Sequence, residues 1–439
     1  MRRDVAEILS AALAAVDPAA VVARGLRKHR TLLTPREGGR LLVLAVGKAA
    51  APMAAAAERA LGPRVSGGLA VGVAARGARP ERIAFVEAGH PLPDARGAQA
   101  ASAAEEMLRH TRRHDVVLVL LSGGASALLP APAEGLVLED KIDTTRRLLR
   151  AGADIHDLNT VRKHLSRLKG GGLVRAAAPA RVVCLALSDV VGDDVAVIGS
   201  GPTVPDPTTY ADAWSVLERH GLLKSVPGRV RRHLEAGRAG RRPETPKPGD
   251  ALFRRMQIDV IGHSGHALDA AARAARRRGY APMRLTRSLC GEARQVGRAL
   301  AAILRECAES GHPRRPPVCL LAAGETTVTV RGTGRGGRNL ELAVGASTDL
   351  AGQAGVLLAS FATDGVDGAS QAAGGVVTGT TLRRAQRLGL PAPEAFLDAN
   401  DSESFLAPLG DLVMTGPTGT NVADVIVMLA RPRAARRTV

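Results

Sequence analysis

Short apolar runs punctuate the chain, and stretches with helical spacing alternate with them. "LLVLAVG" (41–47), "VVLVLLSGG" (116–124) and "RVVCLALSD" (181–189) each carry a run that is apolar on both faces, as strands covered by helices on both sides should be. Each ends in glycine or a polar residue, and "KAAAPMAAAAERAL" supplies a helix after the first. This alternation predicts an α/β fold of the doubly wound type. The opening "MRRDVAEILSAALAAV" places Val5, Ile8, Leu9, Leu13 and Val16 on one helical face. Asp4 and Glu7 interrupt any signal-peptide core there, and no apolar run approaches a membrane span.

Between residues 235 and 250 the pattern lapses into "EAGRAGRRPETPKPGD", which reads as a linker. Apolar runs resume in "IDVIGHSG" (258–265), "PVCLLAAGETTVTVRG" (317–332), "GVLLASFATDGVDG" (355–368) and "DLVMTGPTGTNVADVIVML" (411–429). A chain of 439 residues is expected to form two domains. The division expected is 1–245, a Rossmann-like unit with a parallel or mixed sheet, and 246–439, a second α/β unit. Ligands of such sheets sit beyond the carboxyl ends of the strands. The strand-end residues are Lys48, Ser122, Asp189, Glu325, Asp364 and Thr415.

Composition changes the picture in two ways. A formal net charge of +18 invites a nucleic-acid reading, but aromatics are only 2% of the chain, too few for stacking platforms. No zinc-finger spacing appears, and the excess charge falls in short runs, "RAARRRG", "HPRRPP" and the terminal "RPRAARRTV", which read as solvated faces. A basic cleft for a small anion is compatible with this balance. Cys184, Cys290, Cys307 and Cys319 form no C-x-x-C pair and read as free thiols of a cytoplasmic protein.

Several stretches carry candidate chemistry. "TVTVRGTGRGGRNLELAV" contains G-x-G-x-x-G at Gly332, Gly334 and Gly337. The preceding "TTVTVR" alternates polar and apolar, which argues a half-exposed antiparallel strand rather than a buried Rossmann first strand. Asp364 lies well past the ~20-residue spacing of a ribose-binding acid. A dinucleotide site is therefore disfavoured. Two readings remain, a mobile loop delivering Arg338 to an anion and a surface hairpin with solvated arginines.

Lys48 in "AVGKAA" sits where a strand meets a helix, a place suited to phosphate. Ser122, Gly123, Gly124 and Ser126 in "LLSGGASAL" form a second glycine turn that lets backbone donors approach phosphate oxygens. Asp189 and Asp193 in "LSDVVGDD" offer hard oxygens for Mg²⁺, or else an Asx turn and a helix cap. Asp364 and Asp367 in "ATDGVDG" could serve as a general base or an indirect metal ligand. "RKHLSRLKGGGL" (162–173) reads as a basic helix with a glycine cap, and the histidines, His90 among them, read mostly as structural or solvent-facing.

Taken in order, "VGKAA", "GHPLPD", "LLSGGASAL", "LNTVRKHLSRLKGGGL", "LSDVVGDDVAVIGSGPTVPDPTTYADA", "GETTVTVRGTGRGGRNLE", "ATDGVDG" and "TGPTGTNVAD" resemble the class II glycerate 2-kinases of the MOFRL family, over nearly the whole chain. The resemblance implies two α/β domains flanking a deep cleft, the second (246–439) being the MOFRL-type unit. It implies transfer of the ATP γ-phosphoryl group to the 2-hydroxyl of D-glycerate with Mg²⁺, giving 2-phosphoglycerate and ADP. The family's catalytic lysine and arginine fall on Lys48 and Arg338, and Asp364 is the candidate proton acceptor. Ser122, Gly123, Gly124, Ser126, Gly334, Gly336 and Gly337 are the candidate nucleotide contacts, and Asp189 and Asp193 those for the metal. Neither a nucleic acid nor a membrane is an expected partner, and the assembly is a monomer or a homodimer. NAD(P)H-dependent hydroxypyruvate reduction is the alternative. Leu340 stands where the family usually has Gln, and Ala323 where Gly is common.

Overall fold

The computed structural model describes residues 1–74 and 79–432, so most of the terminal basic run lies outside the described residues. Its chain divides into two units, Pro18–Gly262 and a second made of Met1–Asp17 with His263–Val439.

The first unit is built on β1 (Leu41–Val46), β2 (Val65–Gly72), β3 (Ala84–Glu87), β4 (Val116–Leu121), β5 (Arg181–Leu187) and β6 (Met256–Gly262). They form one parallel sheet in the order β3-β2-β1-β4-β5-β6. β1 and β4 are buried along their whole length, which explains their uninterrupted apolar sequences. The strand order reverses between β1 and β4, and ligands of such sheets bind at that point.

The second unit carries β7 (Ala281–Leu289), β8 (Val318–Gly324), β9 (Val356–Ala362), β10 (Gly374–Thr378), β11 (Leu412–Val413) and β12 (Asp424–Ala430) in the order β11-β10-β9-β12-β8-β7. Only β7 and β8 pair in parallel; β12 runs antiparallel between β8 and β9. The start of β12 therefore lies level with the ends of both neighbours, Asp424 opposite Gly324 and Ala362. Helix Arg338–Asp349 packs closely on helix Ala293–Glu309 through Gly297, where a Cβ would come within 2.1 Å of the Leu342 carbonyl oxygen.

Four expectations change. The division falls at Gly262/His263 rather than 245/246, because β6 extends the parallel sheet beside β5, and the first 17 residues join the second unit. The expected linker is a packed loop: Thr245 is buried and bonds Asp206 at 2.9 Å, while Glu244 accepts the Tyr210 N–H at 3.0 Å. "TTVTVR" is not a strand; it makes one isolated parallel bridge, Thr327 with Glu292. Helix Ile155–His164 ends within the supposed basic helix, and its basic side chains turn largely inward.

Residues 2–28 are apolar and long enough, by composition, to span a membrane, but they form two helices, Arg2–Ala15 and Pro18–Lys28. Each buries an apolar face, Val5, Ile8 and Leu9 in the first, Val21, Val22 and Leu26 in the second. The first is fixed by Asp4, which accepts bonds from Arg278 at 2.6 and 2.9 Å, Tyr280 at 2.8 Å and Arg431 at 2.9 Å. Burial alone would raise the Asp4 carboxyl, but these donors and the terminal amine hold it at about 2, below the usual 3.8. Asp4 therefore contributes stability above pH ~4 that is lost as the pH falls toward 2. Asp4→Asn is expected to cost about 2–4 kcal/mol near neutral pH, with a difference from the wild type that shrinks in acid, measured by urea unfolding across pH.

Candidate active site

At the carboxyl edge of the parallel sheet, the turns after β1 and β4 pass so closely that their connections interlock. The Lys48 N–H donates to the Gly123 carbonyl at 2.8 Å, and the Ser122 N–H donates to Val46 at 2.9 Å. The Ser122 hydroxyl is fully buried and accepts the Ala49 N–H at 3.1 Å. Ser122 therefore shapes the Lys48 turn from below. Gly47, at φ +131°, has no room for a side chain: a Cβ there would lie 2.1 Å from the Ser122 Oγ.

The glycines of the second turn are packed with equal closeness. A Cβ on Gly123 would lie 1.7 Å from Asp189 Oδ2, so the carboxylate rests directly on this turn. Gly124, at φ +82°, faces the edge of His90 and the Cγ of Lys48, 2.9 and 3.2 Å from where a Cβ would stand. Lys48, Gly123, Gly124 and Asp189 thus meet at the switch point, and the structure adds His90, which sequence reasoning set aside. Only its place before "PLPD" pointed to it; Asp94 of that motif caps helix Ala95–Arg109 by accepting the Gly97 N–H at 2.9 Å.

Ser126 lies one turn further on, its hydroxyl 2.6 Å from that of Ser200. Asp193 follows Asp189 in a left-handed turn at φ +57°, and Asp194 accepts the Ala196 N–H at 2.8 Å. Among the described residues, no three His, Cys, Asp or Glu side chains converge as a metal cage.

In the second unit the glycine loop is fastened, not mobile. Arg331 and Gly332 donate their N–H groups to Asn400 Oδ1 at 2.7 and 2.8 Å, Gly334 to the Ala399 carbonyl at 3.0 Å, and Arg335 to Asp401 Oδ1 at 3.0 Å. A Cβ on Gly332, Gly334, Gly336 or Gly337 would meet Ala399, Asp401, Ser402 or Asp367 within 2.4 Å. On their Cβ sides these glycines meet the protein's own chain, and the Gly334 N–H expected on a nucleotide is engaged by the Ala399 carbonyl. Asp367 is buried and caps the helix that starts at Arg338, accepting from the Asn339 and Leu340 N–H groups at 3.1 and 2.8 Å. It is a structural carboxylate; burial raises its pKa.

The loop fixes Arg338. Its guanidinium donates to both oxygens of Asp424, at 2.5 and 3.1 Å, and to Glu325 at 2.7 Å. Burial works against the Arg338 charge, but Asp424 and Glu325 more than offset it and raise its pKa. Burial pushes the Asp424 carboxyl up to about 6 even with Arg338 against it. Asp424 was missed in the sequence, where it reads only as the start of an apolar strand. Asp364 is half-buried beyond β9, accepting the Val366 N–H at 3.2 Å. Leu340 and Ala323 are fully buried in the core, which removes Leu340 from any substrate contact.

Residues 4–235 match a family described as a domain of unknown function (DUF4147), and residues 318–424 match the MOFRL family. The chain is 41% identical to a glycerate 2-kinase of Pyrococcus horikoshii, covering 91% of this chain and 89% of that protein. It is 41% identical to a D-glycerate 2-kinase of Thermotoga maritima, with 89% and 90% covered. A putative hydroxypyruvate reductase of Agrobacterium vitis is 40% identical over 98% of this chain and 94% of its own length. The crystal structure of glycerate kinase from Thermotoga maritima superposes with a TM-score of 0.87 at 39% identity, covering 98% of this chain and 99% of that one. Two matched segments in the right order, similarity along nearly the whole length and the shared fold place this chain in the class II glycerate 2-kinase family.

Proposed function

We propose that the chain transfers the γ-phosphoryl group of ATP to the 2-hydroxyl of D-glycerate, giving 2-phosphoglycerate and ADP, in the cytoplasm. Family membership supports the reaction. The observation that carries it against hydroxypyruvate reduction is the filled glycine loop, whose N–H groups serve residues 399–401 while its end presents a clamped guanidinium. The first turn of the parallel sheet, Gly47–Lys48–Ala49, lacks the glycine fingerprint of a dinucleotide site as well.

Phosphoryl transfer needs positioning and charge neutralisation more than covalent chemistry. Lys48 and Arg338 are assigned to the charge on the transferred group. Gly123, Gly124 and Ser126, on the turn that Ser122 holds in place, line the approach to Lys48, and Gly336 and Gly337 set the height of Arg338. Asp364 is assigned the proton of the attacking hydroxyl. Mg²⁺ keeps several waters and phosphate oxygens and uses only one or two carboxylates, which Asp189 and Asp193 can supply. That suits a Mg²⁺–nucleotide better than a permanently held ion. When bound, the metal neutralises phosphate charge.

The test is ³¹P NMR of an incubation with D-glycerate, ATP and Mg²⁺, beside hydroxypyruvate with NADH or NADPH. A 2-phosphoglycerate signal without nicotinamide oxidation is expected. Nicotinamide oxidation without a phosphorylated product overturns the reading. Lys48→Ala and Arg338→Ala should each lower kcat by about 10²–10⁴, the first with the melting temperature retained and the second with a lower one, because buried Asp424 loses its partner. Arg338→Lys should rescue little, because an ammonium cannot hold both Asp424 oxygens while reaching Glu325.

Protonation of Asp424 removes the acceptor that orients Arg338. Activity is expected to fall as the pH drops through about 6. Asp424→Asn should give a lower profile without that limb, read as kcat/KM across pH.

A further inference from the structure

The segment "NTVRKHLSRLK" (159–169) treats its basic residues in two different ways. Lys163 pairs with buried Asp206 at 3.3 Å, and Arg167 pairs with Glu105 at 2.6 Å. Arg162 and Lys169 have no carboxylate among the described residues. Lys169 is buried and donates only to the carbonyl and hydroxyl of Ser126, each at 3.2 Å. Arg162 is largely covered and makes no hydrogen bond or ion pair there. Lys141, also buried, donates to the Leu165 carbonyl at 3.0 Å. Burial, with Arg162 nearby, brings Lys169 down to about 7, and burial brings Arg162 down to about 10. Uncompensated cations of this kind are costly in an empty fold.

A chain of hydroxyls shows what is missing. Lys169 can only donate. The Ser126 hydroxyl accepts from it and passes its own proton to Ser200 at 2.6 Å, and Ser200 donates to Asn159 Oδ1 at 2.9 Å. That direction leaves the Asn159 amide as a donor, and Asn159 Nδ2 is buried without any partner. Asn159 and Arg162 are three residues apart on helix Ile155–His164, hence on one face. Ser200 is held at φ +63°, unusual for a residue with a side chain, between Gly199 and Gly201 in similar geometry. The Gly170 and Gly171 N–H groups tie that strained loop down at 3.1 and 2.9 Å. An orphan amide, an unpaired guanidinium and a buried ammonium thus lie together, every one a donor, and the only acceptors they meet among the described residues are the Ser126 oxygens on Lys169, with no carboxylate.

We propose that Asn159, Arg162 and Lys169 form a recess for a single oxyanion group and, building on the kinase reading, that its occupant is the carboxylate of the hydroxy-acid acceptor. A guanidinium beside an amide matches two coplanar oxygens. Beside Lys169, Leu121, Leu129, Leu168, Leu173 and Pro202 line a small apolar cavity with room for little more than a water, far too small for a triphosphate. Ser126 is two residues along from Gly124, against which Lys48 packs, so the anchor adjoins the proposed phosphoryl site.

The test measures D-glycerate and ATP–Mg²⁺ binding separately by calorimetry, with steady-state KM values and melting temperatures, in the full chain. Arg162→Met should weaken D-glycerate binding at least about tenfold, leave the KM for ATP unchanged and keep or raise the melting temperature. Asn159→Asp, which places a carboxylate in the recess, should raise the melting temperature and abolish D-glycerate binding. Should Arg162→Met fail to fold, the Asn159→Asp result decides alone. Loss of ATP affinity instead would make this a phosphate site and overturn the carboxylate assignment. Unchanged affinities, or destabilisation by Asn159→Asp, would overturn the recess. Arg162-dependent D-glycerate binding in a wild type that forms no 2-phosphoglycerate would sink the kinase reading and leave the recess standing.

Discussion

The parallel-sheet unit depends on how closely the chain leaving β1 passes the chain leaving β4. Two fully buried neighbouring strands end at the same level, and their turns exchange backbone bonds through Lys48, Gly123, Ser122 and Val46. Side chains do not fit between them, so glycine stands at 47, 123 and 124. The Lys48 side chain lies against Gly124 and the Asp189 carboxylate against Gly123. The chemistry at this edge follows from sheet register, because the strands fix where the turns begin and the crowding fixes which residues can stand in them.

The second unit solves a different problem with the same residue type. An antiparallel β12 between β8 and β9 brings Asp424 level with two strand ends and sets Glu325 close by. Arg338 answers this concentration of negative charge. A guanidinium held by two carboxylates is oriented before any ligand arrives, and preorganised charge of this sort does not have to rearrange during a reaction. The glycines before it allow close approach of residues 399–402, which locks the arginine's point of attachment. The G-x-G-x-x-G spacing is real, but its partner is the protein's own chain.

Much of this was legible in the sequence, and the failures have physical causes. β1, β4 and β5 announce themselves because strands buried on both faces must be continuously apolar. "TTVTVR" misled because alternation marks any extended segment with one covered side, paired or not. The Gly/Pro stretch at 235–250 looked like a linker because composition cannot tell a solvated loop from one packed on Asp206. Lys48 and Arg338 stand out as charges at strand or loop ends. Asp424 does not, since its partner lies 86 residues away and its own neighbours are a strand. The inward-facing cations of 159–169 read as an ordinary basic helix, because their lack of partners is a property of space and not of spacing.

The Asp4 contacts have a consequence for how the chain comes off the ribosome. Residues 18–262 are contiguous and hold a complete sheet, so that unit can fold while the rest is still being made. Helix Arg2–Ala15 precedes that unit along the chain yet belongs with the one that follows it. The groups that fasten it, Arg278, Tyr280 and Arg431, lie 274, 276 and 427 residues beyond Asp4. Its main packing partner, helix Ser264–Arg277, also lies more than 200 residues further along the chain. Helix Arg2–Ala15 is thus translated long before the residues that secure it, and a nascent chain stalled before residue 431 lacks one of the donors to Asp4.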